Sequence, residues 1–317
     1  MTVSGGFPSD GRKPSKVSSE SGTTLCIVGL GLMGGSLALA LRRARRQADA
    51  TAWQAAGLPT RIVGVGRNKQ PLAAARSAGA IDAWTTDLAE GVKGAGIIVL
   101  GSPVRTIIGT LPEVGRCADA GALVMDLGST KSRICAALDG LPAPLQPVGG
   151  HPMCGKETAG FAAAESTLFD DRPFVLCPLA RTSQAALERS KALARAIGAR
   201  PVVLDPEVHD RAVAAISHLP YAIAVALVRA VDDSGDATTW SLAASGFRDT
   251  TRVAGSDVDM MTDILLTNRS AILARLDDFS THLETLRSAL DKGDEAALRA
   301  QLAAAQERRS SLRFLPQ

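Results

Sequence analysis

The sequence predicts an α/β protein in two parts: a doubly wound, mostly parallel sheet followed by an all-helical domain. Over the first two thirds of the chain, short apolar runs alternate with helical segments. That alternation is typical of strands joined by crossover helices, which make the strands parallel. From Asp205 onward the apolar runs stop and only helical periodicity continues. The change of pattern predicts a domain boundary after residue 204.

The composition limits the classes of protein. The chain has 317 residues, of which 46% are hydrophobic, and this is enough for two domains with sizeable cores. The formal net charge is only +3 and aromatic residues make up 3% of the chain. The sequence therefore lacks the basic stripe and the stacking platform of nucleic-acid-binding proteins. No apolar run approaches the ~18–20 residues of a membrane span, so we expect neither a nucleic-acid nor a membrane partner.

The cysteines and the N-terminal segment predict a cytoplasmic protein. There are five cysteines, widely spaced and without a CxxC motif. An odd number in this arrangement indicates a reduced protein with neither a disulfide framework nor a zinc site. Residues 1–22 are rich in Ser, Gly and Lys and lack an apolar core, so we expect a disordered tail rather than a signal peptide. No metal is expected.

The first strand leads directly into a glycine-rich turn. An apolar run at residues 24–28 precedes Gly29-x-Gly31-x-x-Gly34, and a strong helix former follows. In this setting the first glycine makes the turn, the second lets a diphosphate approach the backbone, and the third packs the helix on the strand. The predicted fold is therefore Rossmann-type, and residues 23–204 form a dinucleotide-binding domain. The predicted cofactor-binding residues of the turn are Gly29, Leu30, Gly31, Leu32, Met33 and Gly34.

The residues that follow the later strands are candidate site residues, because ligands of such sheets bind beyond the carboxyl ends of the strands. Further strands are expected at 61–65, 97–100, 122–126, 173–176 and 201–204. Ser102 and Pro103 follow the strand at 97–100 and are predicted to contact the cofactor. Ser129 and Thr130 follow the strand at 122–126. Either of these two can serve a ligand or act as an ordinary helix N-cap.

The end of the second strand favours NADP over NAD. An NAD site needs a carboxylate there to bind the ribose hydroxyls, but the chain has Gly66 followed by Arg67. The nearest acid, Asp49, precedes the strand. Arg67 offers a guanidinium suited to the 2′-phosphate of NADP. The alternative is that Arg67 stacks on adenine and the site accepts both cofactors, so NAD remains possible.

One histidine stands where the sheet meets the substrate side. His151 lies between Gly149-Gly150 and Pro152, in a chain with only four histidines. A histidine at this position is a candidate for proton transfer, against the alternative of a structural role.

The helical part, residues 205–317, contains a possible substrate site and a possible dimer face. Residues 245–254 read as a polar loop in which Arg248 and Arg252 suit a ligand that carries carboxylates, or are surface charges at a helix start. A long helix is expected from about Asp257 to Leu290. Its apolar seam indicates a homodimer interface or intrachain core. The seam residues are Ile272, Leu276, Phe279, Leu283, Leu286 and Leu290.

Five motifs together resemble the prephenate/arogenate dehydrogenase family of tyrosine biosynthesis. They are the glycine turn at 29–34, Asp-Leu-Gly-Ser-Thr-Lys at 126–131, Gly-Gly-His-Pro-Met-x-Gly-Lys-Glu at 149–157, Ser-His-Leu-Pro at 217–220 and Gly-Phe-Arg-Asp-Thr-Thr-Arg-Val-Ala at 246–254. The resemblance covers roughly residues 24–310, with the motifs in the family's order. The chain departs from the family at Cys154 and at Tyr221, where a second histidine often follows the proline.

The resemblance implies oxidative decarboxylation of prephenate, arogenate or both, with hydride transfer to NAD(P)+. It implies that His151 accepts or polarises the proton of the substrate hydroxyl and that Ser129 orients this hydroxyl. Arg252 would bind a substrate carboxylate. The other residues expected at the substrate are Glu157, His218, Arg248 and Thr130. The resemblance also implies a homodimer through the helical domain, which is therefore predicted to be a dimerisation domain.

Two alternatives share parts of this pattern. The β-hydroxyacid dehydrogenases have a similar glycine turn and a helical second domain, but they need a lysine followed four residues later by asparagine. Here the helical part has Lys292 followed by Ala296. The other alternative is a non-catalytic nucleotide-sensing module, which would need neither His151 nor the two arginines.

Overall fold

Eight strands form one sheet in the computed structural model, which describes residues 22–312. Their order across the sheet is β3-β2-β1-β4-β5-β6-β7-β8. All neighbouring strands are parallel except β6 and β7, which pair antiparallel. The strands are β1 Thr23–Val28, β2 Pro59–Val65, β3 Ala83–Thr85, β4 Ile97–Leu100, β5 Leu123–Asp126, β6 Gln146–Pro152, β7 Pro173–Pro178 and β8 Arg200–Val203.

Helices cover both faces of this sheet, as the predicted doubly wound fold requires. They are α1 Leu32–Gln47, α2 Ala50–Ala55, α3 Lys69–Ser77, α4 Leu88–Val92, α5 Val104–Cys117, α6 Ser132–Asp139 and α7 Gln184–Ala196. In β4, Ile97 and Val99 belong to one hydrophobic cluster, whereas Ile98 and Leu100 belong to another. Because successive side chains of a strand point to opposite faces, the two clusters are the cores on the two sides of the sheet.

The strand order reverses beside β1, and the glycine turn lies at that point. β1 pairs with β2 on one side and with β4 on the other. Gly29 has a φ of +96° and its N–H donates to the carbonyl of Val65 at 2.8 Å. A Cβ on Gly34 would overlap the carbonyl oxygen of Gly29, so the third glycine does permit close packing of helix on strand. Ligands bind at such switch points in open α/β sheets.

Only helices follow β8 in the described part of the chain. They are α8 Pro206–Val213, α9 Leu219–Asp232, α10 Ala237–Leu242, α11 Ser245–Thr251, α12 Val258–Thr267, α13 Arg269–Asp291 and α14 Glu295–Ser311. A π-helical turn, Ala214–His218, joins α8 to α9, and a 3-10 turn, Arg252–Gly255, follows α11. The predicted fold class is therefore confirmed. The tail expected at residues 1–22 lies outside the described residues apart from Gly22.

Two predictions for this helical part are wrong. The segment expected as a polar loop, 245–254, forms α11 and the 3-10 turn. The long helix expected from Asp257 to Leu290 is two helices, α12 and α13, separated at Asn268. Asn268 has φ −113° and ψ 23°, and its side-chain amide donates to the carbonyl of Asp210 at 2.8 Å. That bond crosses to a helix 58 residues earlier, so no local pattern predicts it.

The apolar seam of α13 is buried at one end only. Ile272, at the start, is buried, whereas Leu283 and Leu290 are 52% and 61% exposed. The stretch Pro206–Asp232 is also long and apolar enough to cross a membrane by length and composition. By length and composition, the expectation that no apolar run approaches the length of a membrane span is therefore wrong. The first helix of this stretch, α8, contains His209 and Asp210, which are both buried.

We expect Gly34→Ala to destabilise the protein, because its methyl group would overlap a backbone atom that cannot move aside. Overpacking of this kind costs ~1–3 kcal/mol, enough to lower the Tm measurably. The matched control is Gly31→Ala, since Gly31 has a φ of −83° and a Cβ there would enter open space. Thermal unfolding followed by circular dichroism should give a lower Tm for the first variant only. Equal Tm values would contradict the packing role of Gly34.

Candidate active site

A buried ion pair joins the carboxyl ends of β5 and β6. Asp126 and Lys131 are both 0% exposed and their charged groups are in direct contact. Asp126 also accepts hydrogen bonds from the N–H groups of Gly128 at 2.8 Å and Gly150 at 2.9 Å. Lys131 donates to the carbonyl of Gly150 at 2.6 Å. These bonds fix the turn at 128–131 against the residue that precedes His151.

The turn at 128–131 carries Ser129 and Thr130, and neither of them caps α6. The N-cap of α6 is Lys131, without a side-chain cap. Instead, the carboxylate of Asp210 accepts from the N–H groups of Lys131 at 2.7 Å and Ser132 at 2.8 Å. Thr130 is buried and its hydroxyl bonds that of Thr267 at 2.9 Å. Ser129 is partly exposed, so its hydroxyl is the one of the two that a ligand can reach.

His151 is the first member of a chain of hydrogen-bonded side chains. Its Nδ1 lies 2.8 Å from Nε2 of His209, and Nδ1 of His209 lies 2.8 Å from a carboxylate oxygen of Asp210. The two rings meet edge to face, with centroids 5.0 Å apart. Burial, and after it the electrostatic influence of His209, Lys131 and His218, lower the pKa of His151 well below its usual value. His151 is therefore neutral near pH 7 and can accept a proton.

Sequence analysis missed His209 and Asp210. Both are buried and lie in α8, next to the turn at 128–131. An adjacent His-Asp pair at the start of the helical part was the available signal. That signal is weak because nothing in the sequence shows that α8 packs against β6 and the turn before α6.

His218 lies in the same buried network. Its Nδ1 is 3.1 Å from the side-chain amide nitrogen of Asn268, which also donates to the carbonyl of Asp210. Burial lowers the pKa of His218 to about 4. Since an amide nitrogen can only donate, Nδ1 of His218 is the acceptor and its proton is on Nε2. The residue that sequence analysis expected in the pocket is thus a neutral histidine next to His209.

The structure brings Arg252 and Glu157 together and places Arg248 elsewhere. Arg252, in the 3-10 turn, forms an ion pair with Glu157, from the segment after β6, and both side chains are about half exposed. Arg248 bonds its neighbour Asp249 at 2.9 Å and is largely exposed. Solvent-exposed ion pairs contribute only ~0–1 kcal/mol. A ligand carboxylate can therefore displace Glu157 from Arg252 at small cost.

The residues around the glycine turn suit a dinucleotide. A Cβ on Gly29 would come within 3.0 Å of the backbone of Gly101 and Ser102, so the turn and the end of β4 form one crevice. The hydroxyl oxygen of Ser102 is buried without a hydrogen-bond partner. Gly31 has open space around it, and the α1 N-terminus has no side-chain cap. Free N–H groups at a helix N-terminus bind a diphosphate.

The end of β2 carries an arginine in place of the carboxylate of an NAD site. Gly66 follows β2 directly and Arg67, next to it, is exposed. Asp49 caps α2, where it accepts from the N–H of Ala52 at 2.9 Å. The carboxylate of Asp49 is therefore engaged as a helix cap in the connection before β2, where the sequence places it.

An open α/β sheet with a glycine turn at its switch point, next to a neutral histidine, defines a nucleotide-binding enzyme of the dehydrogenase class. Comparison with known families makes this specific. A family model described as "Prephenate dehydrogenase, nucleotide-binding domain" matches residues 50–203, and one described as "Prephenate dehydrogenase, dimerization domain" matches residues 205–304. The chain belongs to the prephenate dehydrogenase family.

Individual relatives agree with this assignment. Prephenate dehydrogenase of Bacillus subtilis is 34% identical over 275 residues, which cover 86% of this chain and 71% of that protein. A crystal structure of prephenate dehydrogenase from A. aeolicus, in complex with hydroxyphenyl propionate and NAD+, is 28% identical with a TM-score of 0.82 and covers 92% of this chain and 99% of its own. Synechocystis arogenate dehydrogenase is 31% identical with a TM-score of 0.76, covering 91% of this chain and 99% of its own.

We expect Lys131→Met to destabilise the protein strongly, because it leaves the carboxylate of Asp126 buried without its cation. Breaking a buried pair from one side costs ~3–5 kcal/mol. Adding Asp126→Asn removes the stranded charge and should recover part of that loss. Lys191→Met is the control, since Lys191 pairs with the half-exposed Glu188. Urea unfolding of the wild type and the three variants measures these effects. A single Lys131→Met variant no less stable than the double variant would contradict this account.

Proposed function

We propose that this protein oxidatively decarboxylates prephenate, arogenate or both in tyrosine biosynthesis, using a pyridine nucleotide. The observation that carries the proposal is His151: it is neutral, its Nδ1 is bonded to His209, and it lies beside the Ser129 turn. A family relationship alone does not supply a base, and a fold alone hosts many functions. In this chain His151, near the carboxyl end of β6, supports the proposal as the candidate base, because ligands of such sheets bind at that edge.

His151 removes the proton of the substrate hydroxyl in the proposed reaction, and Ser129 orients that hydroxyl by hydrogen bonding. A pyridine nucleotide held by the glycine turn would supply the acceptor for the hydride of the carbinol carbon. Carbon dioxide then leaves as the ring becomes aromatic. Once the ion pair between Arg252 and Glu157 opens, Arg252 binds a substrate carboxylate. A guanidinium can bind a carboxylate through two parallel hydrogen bonds.

The other predicted substrate residues support the site in different ways. Thr130 and His218 are buried and bonded to Thr267 and Asn268, so we infer that they hold the pocket wall rather than grip the substrate. Arg248 is largely exposed and pairs with Asp249, so we infer that it attracts an anionic substrate from solution. For the cofactor we infer contacts from the glycine turn, Ser102 and Pro103.

The direct test is to mix the purified protein with prephenate or arogenate and NADP+ or NAD+, and to follow nicotinamide absorbance. His151→Asn should lower kcat by ~10²–10⁴-fold with little change in KM, because general base catalysis contributes that much. His282→Asn is the matched control, since His282 is exposed on α13. Near-full turnover of His151→Asn would remove His151 from the mechanism.

The same assay separates the alternatives. Solved 3-hydroxyisobutyrate dehydrogenases, such as that of Salmonella typhimurium at 18% identity and a TM-score of 0.52, share the fold with this chain. Oxidation of 3-hydroxy acids with no reaction of prephenate or arogenate would favour that class. Cofactor binding without turnover of any of these substrates would favour a nucleotide-sensing module.

We propose that NADP is the preferred cofactor and that Arg67 contacts its 2′-phosphate. Specificity is a difference between two affinities, and two features act in the same direction. The carboxylate that would repel the 2′-phosphate is absent at Gly66, and the exposed Arg67 next to it supplies a phosphate-binding fork. If Arg67 only stacks on adenine, the site accepts both cofactors.

We expect Gly66→Asp combined with Arg67→Ala to shift preference from NADP to NAD by ~10-fold or more in kcat/KM, because a charged hydrogen bond contributes ~1.5–3 kcal/mol. Gly66 tolerates a side chain: a Cβ there would approach only Leu72, at 3.5 Å. Arg67→Ala alone should weaken NADP and leave NAD unchanged. A wild-type enzyme that already prefers NAD would contradict the proposal.

We infer that the helical part, residues 205–317, forms a homodimer. Several large apolar side chains of its helices are exposed in the single chain, among them Ile216, Val258, Leu266, Leu283 and Leu290. Exposed apolar surface that is spread over neighbouring helices marks an interaction surface. Obligate dimers bury upwards of ~2,000 Å². The description of the matching family model as a dimerization domain supports the same inference.

We also infer a division of the chain after residue 204 and a cytoplasmic location. The last strand of the described residues ends at Val203 and α8 begins at Pro206. The five cysteines are free and three of them are buried. Free thiols throughout a chain are typical of a reducing compartment.

A further inference from the structure

We infer that His209 and Asp210 form, with His151, a hydrogen-bonded relay that decides which nitrogen of His151 accepts the substrate proton. The inference rests on the proposed function for its chemical meaning, and it extends that function by assigning positioning roles to two residues. Neither residue touches the glycine turn or the Arg252–Glu157 pair in the described hydrogen bonds.

The first step of the argument is that Asp210 is an ionised acceptor. Burial by itself would raise the pKa of this carboxyl, but hydrogen bonds from His209 and from the N–H groups of Lys131 and Ser132 outweigh it and lower the pKa. An ionised carboxylate has no proton to donate. Nδ1 of His209, 2.8 Å away, must therefore carry the hydrogen of that bond.

The second step concerns the other nitrogen of His209. The ring is 1% exposed. A neutral imidazole has one donor and one acceptor nitrogen, so with its proton on Nδ1 the acceptor of His209 is Nε2. That atom lies 2.8 Å from Nδ1 of His151. The hydrogen between the rings therefore belongs to His151.

The consequence is that Nε2 of His151 carries a lone pair. It can accept the proton of the substrate hydroxyl: the O–H bond breaks, an N–H bond forms at Nε2, and His151 becomes an imidazolium. The relay then stabilises this cation, since Nδ1–H of His151 already points to His209 and, through it, to Asp210. The same division of labour orients the histidine of the Ser-His-Asp proteases.

The charged and titratable groups facing His151 come from three elements. His209 and Asp210 lie in α8, Lys131 precedes α6, and His218 lies in the π-helical turn. Of these, only the carboxylate of Asp210 favours a positive His151. Loss of the relay should therefore make the imidazolium harder to form and leave the binding of substrate and cofactor unchanged.

The kinetic test compares His209→Gln with His209→Leu. Both side chains are similar in size, but only Gln keeps an oxygen that can accept from Nδ1 of His151. We expect His209→Leu to lower kcat by ~10²-fold or more, within the range for loss of general base catalysis, with KM and cofactor affinity within ~3-fold of wild type. His209→Gln should recover at least ~10-fold of that loss. Equal kcat values for the two variants would overturn the relay.

A second measurement needs no enzymatic activity. Imidazole ¹⁵N shifts, recorded by NMR without substrate at about pH 7, report the protonated nitrogen of each of the four histidines. We expect His151 and His209 protonated at Nδ1, and His218 at Nε2 as an internal reference. His209→Leu should give mixed tautomers at His151, and its retained spectrum would show that it folds.

The two measurements separate the relay from the proposed function. A His151 protonated at Nε2 in the wild-type protein would overturn the relay whatever reaction the enzyme performs. The expected tautomers in a protein that turns over neither prephenate nor arogenate would instead support the relay and contradict the proposed function.

Discussion

The site depends on the buried contact between Asp126 and Lys131. Asp126 ends a central strand, and its carboxylate accepts hydrogen bonds from Gly128 and Gly150 in addition to the lysine. One carboxylate therefore fixes both the turn that carries Ser129 and the strand that carries the histidine. Two charges with no exposure to water persist only if each is satisfied. Here the surrounding hydrogen bonds satisfy both charges. The distance between the two candidate catalytic residues, Ser129 and His151, is therefore set by buried contacts.

A second set of contacts connects the sheet to the helices that follow β8. In these contacts, side chains from distant parts of the chain replace local helix caps. The carboxylate of Asp210, in α8, accepts hydrogen bonds from the N-terminal N–H groups of α6. Asn268, which separates α12 from α13, donates a hydrogen bond from its side-chain amide to the carbonyl of Asp210. Asp263, in α12, bonds the backbone N–H and the guanidinium of Arg105 at the start of α5. Side chains of the helical part therefore form hydrogen bonds with the N-termini of α5 and α6, which pack on the sheet. A shift of the helical part relative to the sheet would break these bonds and disturb the site.

In contrast to these buried contacts, two ion pairs are exposed to solvent and can exchange partners. The pairs of Arg252 with Glu157 and of Arg248 with Asp249 both lie at the surface. Water screens such pairs, so their formation and loss involve little free energy. His151 and His218, in contrast, keep fixed partners, and burial lowers the pKa of each. The histidine proposed to accept the substrate proton, His151, is therefore preorganised, whereas the residues proposed to take up a carboxylate can change partners.

Local sequence patterns were sufficient to predict the glycine turn and six of the eight strands in the described residues, because each follows from a few neighbouring residues; β3 and β6 were not predicted. Local sequence also made His151 a candidate for proton transfer, which stays a prediction. Alternation of burial defines a strand, and the turn needs glycines at fixed spacing. Folding was needed to reveal the break at Asn268 and the partners of His151. Both depend on hydrogen bonds between residues 58 positions apart, from Asn268 to Asp210 and from His151 to His209. A side chain whose conformation is set by such a contact has no local pattern, so its role appears only when the chain is folded.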